Sequence, residues 1–217
     1  MTALQDARAR VRTWLFDQAL PLWAERGVDP DGRFYELLDF DARPVLGKRR
    51  TRVQARQVYL FAEAADLGFA PGRAIAQAGL DGMIRTCRRP DGLWVLSTDD
   101  AGAVIDDTPD LYDQAFCLFA LAAGHRLLGD DRCRALAHQT LDAIETVMAA
   151  PHGGWAEAAP ARLPRRQNPH MHLLEAMLAW RAATPDPRFA RTAKVILALF
   201  EDAFFDEATG TLGEFFT

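Results

Sequence analysis

The chain has 217 residues, of which 49% are hydrophobic and 25% charged, a composition typical of one globular domain. Its net charge of −5 provides no basic field for nucleic acid, and no apolar run reaches the roughly 18 residues that a membrane span requires. Cys87, Cys117 and Cys133 lack CxxC spacing, which predicts reduced, buried thiols in a cytoplasmic protein.

About seven helices are predicted in chain order. Apolar residues recur at helical spacing over 3–23, 53–67, 73–87, 111–128, 131–148 and 188–204, and a further helix begins near Asn168. Gly68 and Gly129 directly follow two of these stretches, as glycine often does at a helix end. Short segments of strand character, 34–40 and 93–97, precede the second helix of a pair, and we expect no extended sheet.

Two elements recur along the chain at a period near 60 residues. A glycine followed by an aromatic residue occurs at Phe34, Trp94 and Trp155. An alanine-rich helical stretch opens at Gln54, Gln114 and Glu175. Helix pairs at this period predict an all-α solenoid or an (α/α)6 toroid, which would need roughly 360 residues. We therefore expect residues 1–217 to form a partial toroid domain, as part of a longer protein or as a natural truncation.

Polar chemistry concentrates in the loops and at the starts of the second helices. Aromatic residues beside carboxylates, as at Trp94, suit a sugar pocket, and the alternative is that the rings only cap the bundle. Arg56 lies within an apolar stretch, where a guanidinium needs a partner or a ligand. The arginines of the pairs 49–50 and 165–166 are interpreted instead as solvated charge.

The segment from Gln167 to Ala176 is the most informative. Asn168 is suited to the N-cap and Pro169 to the first helical position. His172 would then lie in the first turn, where the helix dipole favours a neutral ring, with Glu175 on the same face. The alternative for His170 and His172 is a surface or capping role. The His-x-His spacing is a weak metal signal, and we expect no metal ion and no cofactor, since no P-loop, GxGxxG or GxSxG motif is present.

Three segments together resemble the N-acylglucosamine 2-epimerase family. They are 50–59 (RTRVQARQVY), 110–116 (DLYDQAF) and 168–176 (NPHMHLLEA), the last being similar to the mannose isomerase branch. The resemblance covers essentially the whole chain but only the N-terminal half or so of a family member. It implies an (α/α)6 barrel with a sugar pocket at one mouth. It also implies proton transfer beside the carbonyl of an open-chain sugar, without metal or nucleotide.

The resemblance assigns roles to particular residues. Arg56 matches the arginine that contacts the carbonyl or enediolate oxygen, while Asn168 and His172 match sugar-binding positions, His172 near the reacting centre. The further candidates for substrate binding are Gln54, Trp94, Tyr112, Asp113 and Glu175. Arg52 departs from the family pattern, since several relatives carry an aromatic residue there. The acid–base histidine pair of the family is expected C-terminal to Thr217, so we predict little activity for the isolated chain.

The favoured hypothesis is a sugar isomerase or epimerase that acts through an enediolate, with mannose–fructose isomerisation ahead of N-acyl sugar epimerisation. One alternative is a toroid glycoside or uronyl hydrolase, with Asp113 and either Glu36 or Glu157 as the two carboxylates. Another is a sugar- or protein-binding remnant without catalysis. The expected partner is a small-molecule sugar, and family members suggest a homodimer.

Overall fold

The computed structural model describes residues 2–216, except for the side chain of Leu128. Met1 and Thr217, the ends of the expected 1–217 domain, lie outside the described residues. The helices are α1 (Ala3–Trp14), α2 (Leu20–Arg26), α3 (Thr51–Asp66), α4 (Gly72–Cys87), α5 (Leu111–Leu128), α6 (Asp131–Val147), α7 (Gln167–Ala183) and α8 (Pro187–Leu199). A π-helical turn, Leu15–Ala19, joins α1 and α2, and a second, Phe200–Phe204, extends α8. The seven predicted helical stretches are thereby confirmed.

The described strands are only two or three residues long. They are β1 (Arg49–Arg50), β2 (Ser97–Thr98), β3 (Val104–Asp106), β4 (Arg165–Arg166), β5 (Phe205–Asp206), β6 (Thr211–Leu212) and β7 (Phe215–Phe216). All pairings are antiparallel: β1-β2-β3 form one sheet, with Arg50 opposite Ser97, while β4 pairs with β7 and β5 with β6. Two of these ladders immediately precede α3 and α7, so they set the entry of the chain into those helices.

The helices form an inner and an outer row. α5 packs between α3 and α7, while α4, α6 and α8 pack against α3, α5 and α7 respectively. Because α5 is surrounded, it is apolar on nearly every side rather than amphipathic. The inner helices begin at the same end of the molecule, as shown by the backbone N–H of Arg52, which donates to Asp113 Oδ1 at 2.8 Å.

Each glycine–aromatic element forms the same tight turn. Isolated antiparallel bridges join Val28 to Phe34, Arg88 to Trp94 and Ala149 to Trp155. The glycines at 32, 92 and 153 have φ of 81°, 94° and 85°, which L side chains rarely adopt. The three rings that follow are at most 6% exposed. Their burial favours the alternative that these rings cap the helix bundle, although Trp155 also lines a cavity between α6 and α8.

Aromatic stacking joins the inner row to the outer row. Trp180 of α7 stacks on Phe189 of α8 at 4.7 Å between ring centroids, and its indole N–H donates to the carbonyl of Leu118 at 2.9 Å. The three cysteines are free and buried, as expected. Among the described residues, no helix combines the length and the apolar character needed to cross a membrane.

Candidate functional site

The fourth residue of each inner helix holds the preceding aromatic turn. Its side chain accepts a hydrogen bond from the backbone N–H of the turn's aromatic residue. The pairs are Phe34 with Gln54 at 2.9 Å, Trp94 with Gln114 at 2.9 Å and Trp155 with His170 at 3.1 Å. Gln54 is 2% exposed and also donates to the carbonyl of Phe34 at 2.7 Å. Both ends of its amide are used within the fold, so the structure gives no support to its assignment to sugar binding, which stays a prediction.

His170 takes the place of that glutamine in the third repeat. Its Nδ1 lies 2.9 Å from the carbonyl oxygen of Arg166, and its Nε2 accepts the N–H of Trp155. The ring is fully buried, and burial lowers its pKa to about 4. The alternative of a surface role is therefore wrong for His170, which is 0% exposed. Because both ring nitrogens are already engaged, His170 and His172 do not form a metal-binding pair.

The structural repeat also corrects the register proposed for Glu175. Glu175 is the ninth residue of α7, whereas Gln54 and Gln114 are the fourth residues of α3 and α5. The sixth positions are Arg56, Phe116 and His172, and the ninth are Tyr59, Phe119 and Glu175. Positions six and nine are three residues apart and share a helix face. These faces line one open cavity of about 580 Å³, to which Trp23, Glu36, Val53, Gln57 and Leu60 also contribute.

Arg56 is the cation of this cavity. It is exposed rather than enclosed by the apolar stretch around it, and it forms no ion pair with any described residue. Its guanidinium carbon lies 5.1 Å from the centroid of the Phe116 ring. The side chain is thus held by an aromatic face, while its N–H groups are available to an oxygen ligand.

His172 lines the same cavity as Arg56. Its Nδ1 is 2.7 Å from Glu175 Oε2, and its ring packs edge-on against Tyr112 at 4.9 Å. With the Nδ1 proton directed to the carboxylate, Nε2 carries the lone pair that can accept a hydrogen bond or a proton. The structure therefore brings Arg56, His172, Glu175 and Tyr112 together.

Asn168 lies two residues further into the helix than expected. The N-cap of α7 is Arg166, and the helix begins at Gln167, so Asn168 is the second helical residue and Pro169 the third. His172 consequently lies in the second turn rather than the first. The Asn168 Oδ1 atom is buried without a hydrogen-bond partner among the described residues. Its side chain does not line the cavity described above.

Trp94 and Asp113 are buried and do not line the cavity. Trp94 is fully buried and donates its indole N–H to Thr140 at 3.0 Å. Asp113 is also fully buried, and it pairs with Arg52 at 2.8 Å. Burial raises the Asp113 pKa to about 7, although the guanidinium of Arg52 opposes the shift. Neither side chain lines the cavity, so the geometry gives no support to their assignment to substrate contact, which stays a prediction.

One arginine of each pair, Arg49 and Arg165, is buried rather than solvated, contrary to expectation, whereas Arg50 and Arg166 are partly exposed and ion-paired. Arg49 is 3% exposed and lies 2.6 Å from Asp29, and Arg165 is 4% exposed with Nη1 2.6 Å from the carbonyl of Gly153. Arg50 is paired with Glu36, and Arg166 with the buried Glu157 at 2.6 Å. A run of arginines in the sequence gives no indication of these partners, which come from other repeats and loops.

These pairings bear on the hydrolase alternative. Asp113 and Glu157 are both buried. Glu36 lines the cavity, and its carboxylate accepts the backbone N–H of Arg50 at 2.8 Å. The structure therefore does not present Asp113 with either partner as two carboxylates across a sugar. Within residues 2–216, no cluster of three or more histidine, cysteine, aspartate or glutamate side chains could hold a metal ion.

Sequence reasoning missed the aromatic wall of the cavity. Phe116, Tyr59, Phe119 and Trp23 all line it, and Tyr59 stacks on Phe119 at 4.3 Å. The sequence does contain a signal for this wall. When α3 and α5 are aligned by their first residues, Arg56 and Tyr59 occupy the same positions as Phe116 and Phe119.

The comparisons with known proteins agree with this architecture. The N-acylglucosamine 2-epimerase (GlcNAc 2-epimerase) family model matches residues 32–217. The chain is 39% identical over 215 residues to mannose-6-phosphate isomerase of Rhizobium meliloti (strain 1021), covering 94% of this chain and 54% of that protein. It is 32% identical over 208 residues to D-mannose isomerase of Thermobifida fusca, covering 91% of this chain and 50% of that protein. The chain thus spans about half the length of the curated relatives it matches.

A solved structure shows the same fold. Cellobiose 2-epimerase from Spirochaeta thermophila DSM 6192 superimposes with a TM-score of 0.85 at 24% identity, over 97% of this chain and 59% of that one. The inner and outer helix rows are therefore part of an (α/α)6 toroid, as the repeat period predicts. Family model, sequence relatives and fold agree: the chain belongs to the N-acylglucosamine 2-epimerase family of sugar epimerases and isomerases.

Proposed function

We propose that this chain provides the carbonyl-binding part of a sugar isomerase, with an open-chain aldose of the mannose type as substrate. The observation that carries the proposal is the guanidinium of Arg56, which has no ion-pair partner within residues 2–216 and lies in the same cavity as the His172–Glu175 pair. The two curated relatives named above are isomerases of mannose or its 6-phosphate, which supports isomerisation over epimerisation.

The chemistry proceeds through an enediolate. A base removes the proton from C2 of the open-chain aldose, and the electron pair of that C–H bond moves into the C1–C2 bond as the carbonyl oxygen becomes negative. Arg56 stabilises this oxygen, because a fixed cation acts most strongly where charge develops. Return of a proton to C1, with the C2 hydroxyl proton passing to the C1 oxygen, yields the ketose, and return to the opposite face of C2 yields the epimer. Nε2 of His172 binds an oxygen near the reacting carbons.

The whole reaction requires an acid–base group within hydrogen-bond reach of C1 and C2. The resemblance places that histidine pair outside residues 1–217, so we expect the 217-residue chain alone to bind sugar but to turn it over poorly. The sugar-binding roles of Asn168 and Tyr112 and the homodimer remain predictions.

The test uses the protein expressed from its complete coding sequence and D-mannose in D₂O, followed by NMR. Isomerisation produces fructose labelled at C1, whereas epimerisation produces glucose labelled at C2. We expect Arg56→Ala to lower kcat/KM by about a hundredfold or more, the scale of losing one stabiliser of an oxyanion. Arg85→Ala is the matched control, since Arg85 is exposed on the outer helix α4.

Three outcomes would contradict the proposal. Saturable sugar binding without any deuterium exchange would favour a binding protein. Labelled glucose without fructose would make the enzyme an epimerase. Full activity of Arg56→Ala would remove Arg56 from the reaction.

A further inference from the structure

One aromatic ring contacts both polar groups of the cavity. Phe116 lies on α5, between Arg56 of α3 and His172 of α7. The Phe116 ring centroid is 5.1 Å from the guanidinium carbon of Arg56 and 4.7 Å from the centroid of the His172 ring. Phe116 is only 8% exposed, so the surrounding helices hold the ring in place. The ring therefore contacts both side chains from a largely buried position.

The two contacts constrain their partners in different ways. The guanidinium of Arg56 is attracted to the electron-rich ring, which orients it without using any of its N–H groups. The His172 ring meets Phe116 at an interplanar angle of 44° and Tyr112 at 82°. These two rings set the plane of the imidazole, while Glu175 at 2.7 Å selects the nitrogen that carries the proton.

We propose that Phe116 is a positioning residue for the sugar reaction, acting by setting the separation and orientation of Arg56 and His172. The inference rests on the proposed isomerase function. Its physical reason is that both groups address neighbouring oxygens of one small substrate, so an error of about 1 Å between them can lower the rate by about a hundredfold. An aliphatic side chain would fill the space but provide no face for the cation.

The experiment compares variants of the protein from its complete coding sequence. Phe116→Leu removes the ring with a modest change in volume, and Phe116→Met is a second ring-free variant in case the first folds poorly. We expect kcat to fall by about tenfold to a hundredfold in each, with a much smaller change in KM. Phe189→Leu is the control for loss of a buried ring, since Phe189 packs on the outer helix α8 against Trp180. It should lower the melting temperature and leave kcat unchanged.

A double-mutant cycle with Arg56→Lys distinguishes positioning from general structural damage. If Phe116 acts through Arg56, then Phe116→Leu should reduce kcat by less than about threefold in the Arg56→Lys background, because the guanidinium that it orients is already gone. Equal fold-losses in both backgrounds would overturn the inference, and so would wild-type kcat in both ring-free variants.

The same set of variants separates this inference from the function on which it rests. An active protein that loses turnover on Arg56→Ala but not on either Phe116 substitution supports the function and refutes only the positioning role. A wild-type protein with no isomerase or epimerase activity refutes both.

Discussion

The buried imidazole of His170 makes the stability of the fold depend on pH in a predictable direction. Burial lowers its pKa from 6.5 to about 4. The unfolded chain therefore binds a proton more readily than the folded one below pH 6.5. The stabilisation is fully present above the unfolded pKa and is lost as the pH falls from about 6.5 to 4. The full difference between the two pKa values corresponds to about 3 kcal/mol, or roughly 2 kcal/mol between pH 7 and about pH 4.5.

The assay is urea unfolding of the wild type and of His170→Gln across this pH range. Glutamine can form both hydrogen bonds of His170, as Gln114 does by accepting from Trp94 N–H and donating to the carbonyl of Asp110 four residues earlier. The variant should fold, and its free energy of unfolding should no longer contain the pH-dependent contribution of His170. Its free energy of unfolding, relative to the wild type, should rise by roughly 2 kcal/mol on going from pH 7 to about pH 4.5.

The test depends on the difference in unfolding free energy between the wild type and His170→Gln at each pH, because other groups also titrate in both proteins. Asp113 acts in the opposite sense, because burial raises its pKa from 3.8 to about 7, so its contribution is present at low pH and is lost as the pH rises through 7. The two buried groups partly offset each other in the wild type. Parallel pH curves for the wild type and His170→Gln would refute the reasoning, since they would mean that the ring is not kept neutral by the fold.

Two further substitutions test the packing beneath the cavity. Trp94→Phe removes the indole donor to Thr140, so we expect a loss of about 1–2 kcal/mol of unfolding free energy with no change in sugar affinity by calorimetry. If Trp94→Phe weakened sugar binding without lowering the unfolding free energy, Trp94 would be a sugar-binding residue. Gly79→Ala would place a Cβ 2.3 Å from the Phe34 ring, so chemical denaturation should show a loss of about 1–3 kcal/mol. An unchanged denaturation midpoint would show that the Phe34 ring moves aside without a loss of stability.

The helices and turns could be predicted because their signals are local. Three such signals are apolar residues spaced by three and four, glycines where φ is positive, and aspartates at helix starts. Each acts over only a few neighbouring residues. Asp130 and Asp186, for example, cap α6 and α8 by accepting the N–H groups two residues later. The repeat period near 60 residues then predicts the toroid, since each helix pair can bury its apolar face only against the next pair.

The third repeat shows where a constant period fails. Phe34 and Trp94 each precede their hydrogen-bonding glutamine by 20 positions, whereas Trp155 precedes His170 by 15. The shorter loop before α7 shifts the helix by five residues, so the sequence pairs Glu175 with the wrong positions. A hydrogen bond across a loop, rather than any similarity of residue type, establishes that His170 replaces glutamine.

The sequence by itself determined the helical class, the repeat and the family, because these depend on patterns within one repeat and on motifs that can be matched directly. Only the tertiary structure decided which charges are available to a ligand. Arg49 is buried because Asp29 comes within 2.6 Å of it, and Arg56 is free in the cavity because no described carboxylate does. The sequence does not distinguish a buried, paired arginine from one that is available to a ligand. The difference depends on residues that are distant in sequence and become neighbours only on folding.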